Sequence, residues 1–193
     1  MRLTVACPYI VLFGLVALAN SWSKAHAETS KTAAPPKYVT FDGQRLNLAW
    51  QNENPELPIA EFIPEGETLE KWTQLASIRR FPEQDDAQAL AQRTVEGVAE
   101  QYPGAPTNLQ SDPDGGDAVI EFIVTPPDDS FAEYNLFRYA QDAAGGVVAE
   151  QYALRGYGDR QEFLDELTER RQKLLDEMAA SGLERPEDET ENK

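Results

Sequence analysis

One cysteine and one histidine occur in 193 residues, and both stand near the start of the chain, at Cys7 and His26. Long apolar runs are equally scarce. Residues 3–19 form the single such stretch, 17 positions interrupted by Pro8, which falls just short of the roughly 20 that span a bilayer. Arg2 supplies a positive start, residues 9–19 an apolar centre, and residues 21–27 a small-residue exit with Ala25 and Ala27 at the −3 and −1 positions. That order predicts a signal peptide over 1–27, cleaved after Ala27, and an exported, periplasmic mature chain that begins at Glu28. The apolar run follows Cys7 instead of preceding it, so a lipid-modified cysteine is not expected. Cleavage removes the only thiol and the only imidazole. Ser-His-Asp and Cys-His nucleophilic schemes are then excluded, as are zinc sites built on histidine or cysteine. With no disulfide available, an exported chain of this size must rely on a packed core.

Basic residues are also few. Seventeen Lys and Arg face 34 Asp and Glu, for a net charge of −17. Without Arg2 and Lys24, 15 bases remain against 34 acids, a net of −19. Such a field disfavours nucleic-acid backbones and anionic lipid, so neither nucleic acid nor, after cleavage, membrane is expected as a partner. It promotes solubility and steers cationic proteins toward the chain.

Between these limits the pattern gives a linker at 28–37 ending in a Pro pair, then a single α+β domain over 38–182. Asp42-Gly43 marks a hairpin in residues 37–50; "IAEFI" (59–63) and "TQLASIRRF" (73–81) read as strands, and Thr68 as the cap of one helical turn before Trp72. Residues 85–102 form an amphipathic helix capped by Asp85 or Asp86, with Leu90, Ala91, Val95 and Val98 in its stripe. Two hairpins follow, turning at 112–116 and 142–146. A last helix (158–182) is capped by Asp159 with Glu162 three residues on, a capping box, and carries Phe163, Leu167, Leu174 and Met178 on one face. Residues 183–193 make a charged, apolar-poor tail expected to be disordered. In "AVIEFIV", Val119 and Ile123 point one way and Ile120, Phe122 and Val124 the other. Both faces of that strand are therefore apolar, which predicts an antiparallel sheet covered by two helices, an α/β/α sandwich.

This element order, with "PEGETLEKWTQL" ahead of the central strands and a long final helix, resembles the PsbP-like fold, including exported bacterial proteins of the DcrB type. The resemblance covers roughly residues 38–180. It implies an accessory, chaperone-like or binding domain and transfers no catalytic residue.

Four residues stand out as candidate binding groups. Trp72, three positions after Leu69, reads either as a ring buried under a sheet edge or as a ligand-stacking surface. Arg80, Arg138 and Arg155 lie near strand ends, as does Arg79; converging, they would bind a carboxylate or another anion bidentately, and apart they would be consumed in ion pairs with the surplus acids. By alternation Arg80 shares a face with Ile78, and Arg138 with Tyr134 and Leu136. "DPDGGD" (112–117) offers three carboxylates in a calcium-like loop, yet the twelfth position that should hold glutamate is Ile123, and turn chemistry accounts for the stretch. No metal or cofactor is expected. Paired carboxylates of the glycosidase kind are the one enzymatic route open to such a chain, and no insertion builds a cleft for them. The expectation is a non-enzymatic exported binding protein working through contact with a protein, for which the acidic field would suit a cationic partner. An inhibitor or immunity protein against a cationic secreted hydrolase or toxin is the first alternative, and a small-ligand or calcium binder the second.

Overall fold

A computed structural model describes residues 34–52, 54, 56–112, 116–183 and 185. The expected signal segment with Cys7, His26 and the expected cleavage point, the start of the linker, Asp114 and nearly all of the charged tail lie outside the described residues.

Asp42 and Gly43 both take positive φ, 48° and 69°, the left-handed pair that a two-residue turn of the primed type needs. They join β1 (Tyr38–Phe41) to β2 (Gln44–Gln51), and β3 (Ile59–Ile63) and β4 (Gln74–Phe81) complete a four-stranded meander. Helix α1 (Ala87–Gln101) follows, with the Asp86 side chain accepting from the Ala89 amide at its start. A second meander comprises β5 (Thr107–Ser111), β6 (Ala118–Val124), β7 (Ala132–Gln141) and β8 (Val147–Gly156), and α2 (Arg160–Ser181) closes the order. The two meanders join along β4 and β8, giving one open eight-stranded antiparallel sheet in the order β1-β2-β3-β4-β8-β7-β6-β5. The fold is α+β.

The helices lie on opposite faces, as the double-sided β6 requires. Val119 and Ile123 pack with Leu167, Leu174, Leu175 and Met178 of α2 and with Phe41, Phe62 and Tyr152. Ile120, Phe122 and Val124 pack with Ala87, Leu90, Ala91 and Val98 of α1 and with Phe137 and Tyr139. Burying each such side chain stabilises the fold by about 1.5–3 kcal/mol before entropy is counted. Ion pairs then fix the position of α2: Arg171 holds Glu121, while Arg170 and Lys173 hold Asp42. Gly182 ends the helix at φ 64°.

Two features depart from the sequence reading. The segment before Trp72 is not a helical turn. Thr68 and Lys71 exchange backbone bonds in both directions (3.3 and 3.0 Å) as an isolated antiparallel bridge, because four residues are too few to repay helix nucleation. In β2 a register shift lies between Leu48, opposite Phe62, and Trp50, opposite Glu61. Phe62 and Glu61 face opposite sides, so the bulge turns Trp50 away from the α2 core and leaves it 44% exposed.

Candidate functional site

Helix α1 packs on β5, β6 and β7, and the neighbouring part of the same face carries polar side chains in a chain of hydrogen bonds. Ser77 Oγ donates to Gln151 Oε1 (3.1 Å), Gln151 Nε2 to Asn135 Oδ1 (2.8 Å), and Asn135 Nδ2 to Glu133 Oε1 (2.9 Å). Glu133 and Arg155 are cross-strand partners, and Arg155 donates to Glu133 Oε2 from Nε and Nη2 at 2.9 and 2.5 Å. Both side chains are buried. The guanidinium carbon lies 3.9 Å from the Trp72 ring centre and 4.1 Å from that of Phe131, so the cation is stacked between two rings. Trp72 itself is buried with Ile63, Leu75 and Ala153.

At the end of β8 this chain reaches the surface. Tyr157 Oη accepts from the Trp72 amide (3.3 Å) and from Arg155 Nη1 (3.4 Å), and its ring is 39% exposed. Beside it an open cleft of about 390 Å³ separates the ends of β4 and β8 from the first turns of α2. Gln74, Arg155, Tyr157, Glu162, Phe163 and Glu166 are among its lining residues. A glycine shapes the floor: a Cβ on Gly156 would stand 2.5 Å from the Phe163 ring, so only glycine lets that ring seat on the strand. Asp159 is engaged in capping, its Oδ1 accepting from the Gln161 and Glu162 amides (2.7 and 3.1 Å). Glu162 and Glu166, one turn apart, are exposed, and Glu162, in the first turn, is favourably placed at the positive end of the helix.

The four sequence candidates do not converge. Trp72 and Arg155 meet beneath the cleft. Arg80 pairs with Asp142 (2.8 Å), and Arg138 pairs with Asp117 (2.6 Å) and Glu150 (3.3 Å) on the α2 face. Sequence reasoning missed Glu133, Asn135 and Gln151, whose roles depend on a cross-strand register that local patterning does not give. It also missed Glu61, the acid beside Arg79. Burial raises the Glu61 carboxyl above its ordinary range against the opposing pull of Arg79, and lowers the Arg79 guanidinium. Among the described residues no group of three or more His, Cys, Asp or Glu is placed to hold a metal ion.

These features define an α+β domain, an open antiparallel sheet with one helix on each face, with a cleft where the last strand meets the last helix. A protein-family model matches residues 33–183, most of the chain, and the chain belongs to that family. A search of curated proteins and a search of solved structures give no match.

Proposed function

We propose that this is an exported, periplasmic accessory protein of PsbP-like architecture that acts by binding a cationic protein, and that it catalyses no reaction. The observation that carries this reading is where the positive charge goes. Arg80, Arg138, Arg155, Arg170, Arg171, Lys173 and Arg185 are each held in an internal ion pair. The pairing leaves the net charge at −17, but these seven cations are each neutralised at short range and offer little local repulsion to a basic partner. Steering by such a field speeds encounter and weakens with salt. The cleft beside Tyr157 supplies the local complement: an exposed aromatic ring with Glu162 and Glu166 in reach of a partner's basic side chain.

Capture from a periplasmic extract at low and high salt tests this, with the wild type beside a Glu162→Lys/Glu166→Lys variant. The expected result is a basic partner retained at low salt, released at high salt and lost from the variant. Capture that changes with neither salt nor variant overturns the reading. The same charge argument favours a second reading, neutralisation of a cationic hydrolase or toxin. Loss of activity of a lysozyme-like enzyme on titration with the protein distinguishes it from a purely accessory role.

A further inference from the structure

A second site lies under α1, away from the cleft. Arg79 stands on β4 opposite Ala149 of β8, which is in turn opposite Tyr139 of β7. The small alanine leaves room in that row, and Leu90, Arg93 and Thr94 of α1 roof a cavity of about 40 Å³ lined also by Phe81, Phe137 and Tyr139. Arg79 Nε is buried and has no hydrogen-bond partner. Among the described residues Arg79 has no carboxylate within ion-pair distance; Glu61 is the nearby acid that acts on it, through space. The hydroxyls offer no further donor: Thr94 Oγ1 bonds the Leu90 carbonyl (3.2 Å) and Tyr139 Oη (2.7 Å), so two hydroxyl hydrogens serve those two contacts.

We propose that this cavity is a binding site for a single small monovalent anion of chloride size, held by Arg79 Nε. A void of this volume exceeds the roughly 10–15 Å³ that one water needs. Arg79 and Arg93 bring two guanidinium groups to the lining and, among the described residues, no carboxylate joins them there, so the charge facing the void is cationic. An anion that only accepts suits that environment, and it supplies a contacting counter-charge to the half-buried Arg79 through its buried Nε.

The test is thermal unfolding of the intact protein at constant ionic strength as sodium chloride replaces sodium gluconate, an anion too large for the void. A saturable rise in Tm on the order of 3–5 °C at ten times the dissociation constant is expected, and it should vanish in Arg79→Met. In crystals of the wild type grown with bromide, an anomalous peak should lie within hydrogen-bond distance of Arg79 Nε. That second measurement holds even where Arg79→Met fails to fold. Equal Tm in both salts, a chloride response kept by Arg79→Met, or bromide absent from the cavity overturns the proposal.

Discussion

Arg155 and Glu133 form a buried pair whose remaining valences are filled by Asn135, Tyr157 and two aromatic faces. Removing one member leaves the other charged and desolvated. Arg155→Met should destabilise the fold by about 3–5 kcal/mol, and adding Glu133→Met should recover part of that loss, both read from urea unfolding. Glu61 behaves differently. Its carboxyl is raised from the ordinary 4.5 chiefly by burial, so the fold favours the protonated form. Below the ordinary value both folded and unfolded states are protonated and nothing is lost. As pH climbs, the unfolded chain ionises first, and stability falls until Glu61 ionises in the folded state as well. Glu61→Gln should therefore be more stable than wild type at neutral pH, with the difference closing on acidification. Unfolding midpoints of both proteins across that range check the sign. At Gly146, φ is +83° and an added Cβ would lie 2.5 Å from the Phe81 carbonyl oxygen. Since the obstacle is backbone, Gly146→Ala should cost about 1–3 kcal/mol.

At the scale of elements, α2 begins where Asp159 accepts two amides, and Asp159→Ala should lower stability by about 0.5–2 kcal/mol, measurable by thermal unfolding. The same cap was legible in the sequence, as were the Asp42-Gly43 hairpin, the two faces of β6 and the extents of both helices, because each rests on residues close together in the chain. The turn before Trp72 was misread for the same reason: Thr68 is a fitting cap, and nothing local says that its backbone pairs with Lys71 instead. The bulge after Leu48 had no signal either, since a one-residue shift appears only against the partner strand. Of the candidate site, sequence supplied Trp72 and Arg155 as separate residues. Their union depends on the register of β4 and β8, which sets Gln74 opposite Leu154 and bonds the Arg155 amide to the Thr73 carbonyl (2.9 Å). The cleft needed Gly156 to lie under Phe163, 7 residues apart in sequence yet on different elements.

For the whole molecule, the pairing of β4 with β8 brings residues 74–81 against 147–154, so the centre of the sheet forms only when distant segments meet. Non-local topology of this kind folds slowly, on the millisecond-to-second scale, and a seam in the middle of the sheet ties the two meanders into one cooperative transition. Far-ultraviolet dichroism and tertiary probes should thus give coincident unfolding curves. The two tryptophans of the domain make that test unusually direct. Trp72 lies enclosed at 5% exposure and Trp50 is 44% open on the bulge, so a dissolved quencher such as acrylamide should dim the red-shifted emission of Trp50 while sparing the bluer emission of Trp72. Selective fading of the second band under native conditions would then time the local opening of the Thr68–Lys71 reversal, with no label attached.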